Sequence, residues 1–195
     1  MGEYYKCVIL NSRKRNVSNT KKILATIKPW DFDNGAKLME WGYINNDVTK
    51  ALEALINRET GVFAGKPIVI AGDYDDDEPN TFKGEKVNLY FLSDKVGEKI
   101  TENWLKLNKV EPKHYRYIIN ETKGVYIDTY RVEKDDWGCR IHPLPILCCD
   151  DEAKGLGSYN GKNQRMMGSW RRNVVTVSDN KPDGMREVFY RFRED

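Results

Sequence analysis

The chain has 195 residues, of which 39% are apolar and 32% charged, so it can bury a core and is too apolar for a disordered protein. Its 32 basic and 30 acidic residues give a formal net charge of +2, which excludes the large basic excess typical of a dedicated nucleic-acid binder. Its apolar runs are far shorter than the roughly 20 residues of a membrane span, and four cysteines do not suggest a disulfide framework. A chain of this length suits one domain, which we expect over residues 1–195. Because the start has no signal-peptide features, we expect the protein in the cytoplasm, without membrane contact.

The first 29 residues predict a β-hairpin. Two β-rich runs, YYKCVIL and ILATIKP, flank a polar loop that carries a basic cluster. This loop is either a solvated hairpin tip or a contact for phosphate or an acidic partner. Its partner-binding candidates are Arg13, Lys14 and Arg15.

Two later segments have the apolar spacing of amphipathic helices. The first places apolar residues at i, i+3, i+4, i+7 and i+8 from Val48, with Asn46 as a cap, and predicts a helix at about 47–58. The second begins its apolar stripe at Val96 and predicts a helix at about 95–107.

The remaining segments are rich in β-formers. A second hairpin is predicted over 114–132, with Gly124 available for a positive φ in its turn. CRIHPLPIL is predicted to be extended, because Pro143 and Pro145 are unfavourable in a helix interior. SWRRNVVTVSD and REVFYRFRE predict a closing hairpin. The elements do not alternate in βαβ order, so the predicted class is α+β, with mainly antiparallel sheet and two helices.

A zinc site is the first chemistry to weigh. Cys139, His142 and the Cys148–Cys149 doublet offer soft ligands within eleven residues. The spacing lacks two clean ligand pairs, and residues three apart on a strand point to opposite faces. The alternative is buried cysteines beside a hydrogen-bonded histidine, and we expect neither a metal nor a cofactor.

The acidic run GDYDDDEPN follows a predicted buried strand. It begins like a calcium loop, but Glu78 stands where glycine is needed and Gly84 where a bidentate glutamate belongs. The run is either a solvated turn or a site in which Asp73, at the strand end, ligates a metal or acts in catalysis. Its partner-binding candidates are Asp75, Asp76 and Asp77.

Two segments near the C-terminus are candidates for ligand binding. KGLGSYNGKN lacks the dinucleotide fingerprint, and it is either an exposed loop or a backbone cradle for an anion. In GSWRRN, an aromatic ring could stack on a base while an arginine holds phosphate, or the ring could simply belong to the core. The ligand-binding candidates are Gly155, Gly157, Tyr159, Gly161, Lys162, Trp170 and Arg172.

Nucleophilic catalysis has few candidate residues here. His114 and His142 are the only histidines, so a Ser–His or Cys–His mechanism must use one of them. The chain has no G-x-S-x-G nucleophile elbow. The catalytic candidates are therefore Asp73 and His142.

Several blocks occur together in one order: DNGAKLMEWGYINND, AGDYDDDE, YIINETKGVYID, IHPLPILCC, GLGSYNGKN and GSWRRNVVTVS. In this the chain resembles a family of uncharacterised proteins encoded by bacteriophages and bacteria. The resemblance covers most of the chain and implies a phage or prophage setting, but no activity. Asp73 and His142 match the family pattern, whereas Cys148 and Cys149 depart from it, which further weakens a zinc site.

We therefore expect a binding protein without catalytic activity, plausible as a phage-encoded modulator or inhibitor of a host or anti-phage defence factor. The alternatives are a phosphoesterase or nucleotide-acting enzyme that uses Asp73 and His142, and a protein that sequesters a nucleotide. The first expectation implies a host or defence protein as partner, and the alternatives imply a nucleotide or nucleic acid.

Overall fold

The fold is that of a computed structural model, which describes residues 3–15, 17–75, 78–80, 85–135, 137–149 and 164–191. In chain order its strands and α-helices are β1 (Tyr5–Leu10), α1 (Asn19–Lys22), β2 (Ile23–Ile27), α2 (Leu38–Trp41), α3 (Asp47–Ile56), β3 (Ile68–Gly72), β4 (Glu78–Asn80), β5 (Glu85–Val87), α4 (Leu89–Leu92), β6 (Glu98–Ile100), α5 (Glu102–Leu107), β7 (Tyr117–Asn120), β8 (Val125–Asp128), α6 (Pro143–Leu147), β9 (Val175–Ser178) and β10 (Arg186–Glu187).

The first sheet has the strand order β3-β1-β2-β6. Its central strand β1 is buried at every position and pairs antiparallel with both β2 and β3. The predicted N-terminal hairpin is confirmed, with Cys7 opposite Ile27 and the short helix α1 inside its connection. β6 adds to the outer edge of β2 in parallel.

The second sheet has the order β10-β8-β7-β9. The hairpin of β7 and β8 is confirmed, and Gly124 adopts the expected positive φ of +63° in its turn. The predicted closing hairpin is wrong, because β9 pairs with β7 and β10 runs parallel to β8. Alternation along a strand indicates which side chains share a face, but not which strand lies beside it.

The two predicted helices fare differently. α3 forms as expected, and the Asn46 side chain caps it by accepting a hydrogen bond from the Val48 amide. In the predicted helix 95–107, only Glu102–Leu107 is helical, and residues 98–100 form β6. Gly97, at φ +79°, turns the chain against β2, so that strand pairing replaces the first helical turns.

The prediction that Pro143 and Pro145 keep their segment extended is also wrong, because both lie in helix α6. They occupy its first turn, where the backbone N–H groups have no partner within the helix, so proline removes no bond there. His142 caps this helix, and its ring nitrogen Nδ1 accepts a hydrogen bond from the Leu144 amide.

Both sheets contribute to the same buried cluster. Ile9 and Ile70 from the first sheet, Ile118 and Val177 from the second, and the apolar face of α3 all belong to it. The predicted α+β class is confirmed. Among the described residues, no helix combines the length and apolar character required to cross a membrane.

Candidate functional site

Three titratable side chains meet beneath helix α3. Glu53 projects from the helix into the core, and neither it nor His142 has any exposed side-chain surface. His114 precedes β7 and is slightly exposed, with its ring 6.1 Å from that of His142 between centroids. We call Glu53, His114 and His142 the buried triad.

The Glu53 carboxylate accepts hydrogen bonds from both rings. His142 Nε2 lies 3.1 Å from Oε1, and His114 Nδ1 lies 2.9 Å from Oε2 and 3.1 Å from Oε1. Both oxygens of the carboxylate are therefore satisfied, which is the condition under which a buried acid is tolerated.

The surrounding hydrogen bonds assign the protons of the buried triad. Because His142 Nδ1 accepts from the Leu144 amide, the His142 ring carries its proton on Nε2 and donates it to Glu53. The Thr129 hydroxyl donates to the Arg116 carbonyl oxygen at 2.8 Å, so His114 Nε2 donates to Thr129 Oγ1 at 3.1 Å. His114 is thus hydrogen-bonded through both ring nitrogens, to Glu53 on one side and to Thr129 on the other.

Electrostatics keeps Glu53 ionised in this position. Burial by itself would raise the pKa of its carboxyl group, but the neighbouring rings of His142 and His114 outweigh burial and hold the pKa below its usual value. The buried triad is therefore an ionised carboxylate that is held by N–H groups of two imidazole rings.

The same three residues have the side-chain types of a metal site, and their ligand atoms lie within 4.8 Å of one another. A ligating histidine, however, uses the lone pair of one nitrogen and donates its other N–H to an acceptor. Nδ1 of His142 instead faces the N–H of Leu144, which leaves the proton on Nε2, where a metal would bind. The geometry fits a hydrogen-bonded network better than a metal centre.

The two candidate catalytic residues lie in different surroundings. Asp73 follows β3, where its Oδ1 accepts from the Tyr4 amide at 2.9 Å and its own amide donates to the Tyr4 carbonyl oxygen. No hydrogen bond or ion pair between described residues joins Asp73 to His142. The structure brings His142 together with Glu53 and His114 instead.

Glu53 was not among the predicted site residues. Glu53 borders the apolar stripe of α3, and at such a position the sequence pattern does not distinguish a buried acid from a solvated one. The only signal in the sequence was that the chain has just two histidines, so that a site using both could be considered. Nothing in the local pattern points to the carboxylate between them.

The other candidates are spread over the surface and the core. Arg13, Lys14 and Arg15 are exposed, whereas Asp75 is buried, with its carboxylate accepting a hydrogen bond from the Gly72 amide. Trp170 and Arg172 are both buried. The candidates outside the described residues are Asp76, Asp77, Gly155, Gly157, Tyr159, Gly161 and Lys162.

A second notable group surrounds the Lys6 ammonium, which is nearly inaccessible. Lys6 Nζ lies 3.6 Å from the ring centroid of Tyr90 and 5.5 Å from that of Trp30. Asp94 Oδ1 accepts from both Lys6 Nζ and Lys28 Nζ, each at 2.9 Å. Burial lowers the pKa of Lys6, and hydrogen bonding to Asp94 partly restores it.

Large aromatic side chains are exposed around this group. Trp30 is 42% exposed and Phe91, whose ring packs edge-on against Tyr90, is 54% exposed. Tyr4 and Tyr74 are also exposed, next to Asp73, whose charge helps burial to raise the pKa of Tyr90 to about 12. We call the exposed rings of Tyr4, Trp30, Tyr74 and Phe91 the aromatic face.

Comparison with known proteins gives no relative for this chain: no protein-family model, no curated protein and no solved structure matches it significantly.

Proposed function

We propose that this protein is a cytoplasmic binding protein without catalytic activity, which engages a protein partner through the aromatic face. The resemblance in sequence to phage-encoded proteins extends the proposal to a modulator or inhibitor of a host or anti-phage defence factor. That extension rests on the resemblance alone.

The aromatic face is the observation that carries the proposal. Single exposed apolar residues are ordinary, but here the Trp30 ring lies near the Lys6 ammonium and the Phe91 ring packs against Tyr90, whose own ring covers that ammonium. Tyr4 and Tyr74, on either side of Asp73, add two further exposed rings, and a group of exposed apolar side chains is typical of an interaction site. Aromatic residues are enriched at protein interfaces, because a rigid ring buries a large area at a small entropic cost. Lys28 and Asp94 lie beside the rings and supply charges of both signs for a polar rim.

The buried triad supports the non-catalytic part of the proposal. A general acid or base must come within hydrogen-bonding reach of a substrate. His142 and Glu53 are fully buried, and both nitrogens of His142 have partners inside the protein. In this conformation neither group is within reach of a substrate in solvent.

Matched pairs of exposed aromatic residues allow a direct test. The variant Trp30→Ala/Phe91→Ala removes the centre of the aromatic face, and Trp137→Ala/Phe189→Ala removes two exposed rings elsewhere. A partner captured from bacterial lysate and then purified should bind the first variant about thirtyfold more weakly by calorimetry, since a hot-spot residue is worth about 2 kcal/mol. The second variant should bind like the wild type.

Two outcomes would contradict the proposal. One is equal affinity of both double variants for the purified partner. The other is turnover of a nucleotide or phosphate ester that Asp73→Asn abolishes while the aromatic-face variant retains it, because this would favour the enzymatic alternative.

A further inference from the structure

Three lysines from adjacent strands of the first sheet share one of its faces. The antiparallel register of β1 and β2, continued by one position, places Lys6 opposite Lys28. Lys99 on β6 pairs with Thr26, which lies two residues before Lys28, so the Lys99 side chain belongs to the same face. Like charges directly opposite each other on a sheet are destabilising, so this arrangement favours an anion beside the lysines.

Asp94 supplies one carboxylate to this group. Its Oδ1 lies 2.9 Å from Lys6 Nζ and 2.9 Å from Lys28 Nζ, so two ammonium groups share one carboxylate oxygen. Lys99 Nζ donates to the carbonyl oxygen of Ser93, the residue before Asp94. An ammonium has three donors and the Lys28 side chain is 21% exposed, so Lys28 can also pair with a carboxylate from outside the protein.

Exposed rings of the aromatic face lie beside Lys28. The Trp30 ring centroid is 5.6 Å from Lys28 Nζ, and Phe91 packs edge-on against Tyr90 in the helix that precedes Asp94. Trp30 and Phe91 are both exposed. A partner segment with a carboxylate on Lys28 therefore has an apolar surface within reach of its neighbouring side chains.

The other end of the aromatic face is acidic. Tyr4 and Lys6 are two residues apart at the start of β1, so their side chains share a face, and the Tyr4 amide donates to Asp73 Oδ1 at 2.9 Å. Asp94 is itself partly exposed. A nucleic acid, with a phosphate at every nucleotide, would meet the charges of Asp73 and Asp94, whereas a protein segment can place its acidic group at Lys28 alone.

We infer that the partner engages the aromatic face with an acidic segment, in which a glutamate or aspartate carboxylate binds Lys28 and a neighbouring apolar side chain packs on Trp30 and Phe91. This inference rests on the proposed function and names the kind of surface that the partner presents. A charge pair at the rim of an interface contributes to specificity and to the rate of association, while the buried rings supply most of the affinity.

The test uses the full chain and three peptides of equal length, in which leucine alternates with glutamate, glutamine or lysine. The indole N–H resonance of Trp30, assigned by its loss in Trp30→Phe, reports binding in a nuclear magnetic resonance titration. The glutamate peptide should bind about fivefold more tightly than the glutamine peptide, as expected for one exposed ion pair, and the lysine peptide should bind most weakly. High salt should reduce these differences.

A matched pair of variants locates the charge that is responsible. Lys28→Gln should bind the glutamate and glutamine peptides equally, while Lys181→Gln, at an exposed position after β9 of the second sheet, should keep the preference of the wild type. The melting midpoints of both variants show that they are folded.

The outcomes separate this inference from the proposed function. Equal binding of the glutamate and glutamine peptides by the wild type, or an unchanged preference in Lys28→Gln, would overturn the inference and leave the aromatic face as a docking surface. Tighter binding of oligothymidylate than of the glutamate peptide at the Trp30 resonance would overturn it in favour of a nucleic acid. No response of that resonance to any peptide would count against both proposals.

Discussion

At the scale of single residues, the most informative group is the Glu53 carboxylate and the two rings that hold it. His142 has two roles, because its Nδ1 caps α6 while its Nε2 donates to Glu53 on α3. His114 connects the same carboxylate to Thr129 beyond β8. One buried charge therefore links three segments that are distant in sequence, and removing it should affect the whole domain.

Replacing Glu53 by glutamine should lower the free energy of unfolding by about 3 kcal/mol, as expected when a buried, hydrogen-bonded carboxylate is lost and its donors are left incompletely paired. The amide has one acceptor oxygen for two N–H donors, so one ring loses its partner. Urea denaturation measures the change. The exposed Glu111→Gln is the control, which should stay within about 0.5 kcal/mol of the wild type.

The pH dependence gives an independent check on Glu53. Its pKa is lower in the folded than in the unfolded state, so its ionisation stabilises the fold above the unfolded value of about 4.3. That contribution is lost as the pH falls from about 5 through the folded pKa. Between pH 5 and 3, the free energy of unfolding should therefore fall less steeply in Glu53→Gln than in the wild type, and equal slopes would show that Glu53 is not the titrating group.

At the scale of elements, Asn57 connects the end of α3 to the second sheet through hydrogen bonds. Its Oδ1 accepts from the Glu59 and Thr60 amides, at 3.1 and 2.8 Å, and its Nδ2 donates to the Val177 carbonyl oxygen at 3.1 Å. The Arg58 amide donates to the same carbonyl at 2.8 Å. One buried amide thus terminates the helix and docks it on β9.

The variant Asn57→Ala should cost about 2 kcal/mol, because the buried Val177 carbonyl loses a donor and the part-buried amides of Glu59 and Thr60 lose their acceptor. Asn108→Ala is the matched control, since Asn108 lies just after α5 and donates to the Trp104 carbonyl oxygen at an exposed position. Denaturation in urea compares the two variants. A loss no greater than that of the control would mean that water replaces the Asn57 contacts.

Elements that depend on interactions between residues close in sequence were predicted, and elements that depend on distant residues were not. α3 and the hairpin at Gly124 depend on local spacing and turn chemistry, and both were predicted. β6 and β10 depend on neighbours far along the chain, and their pairing was not. The buried triad was not predicted for the same reason. His142 was a candidate, but its partner Glu53 lies 89 residues away, and no local pattern encodes that contact.

At the scale of the whole molecule, the two sheets share one apolar cluster, to which α3 also belongs, and α3 packs against β9 of the second sheet. The buried triad adds polar links between α3, α6 and the segment before β7. Elements that share a core in this way lose their contacts together when one of them unfolds. The prediction of a single domain can therefore be tested by the cooperativity of unfolding.

Unfolding should be one cooperative transition, with a calorimetric enthalpy equal to the van't Hoff enthalpy and a value of about 140 kcal/mol near 60 °C for a chain of this length. Far-ultraviolet circular dichroism and tryptophan fluorescence should give the same midpoint. In Glu53→Gln, both midpoints should fall by the same amount, because Glu53 is fully buried on α3, whose apolar face belongs to the shared core. Two separate transitions, or a shift in only one signal, would show that the sheets unfold as independent units despite their common cluster.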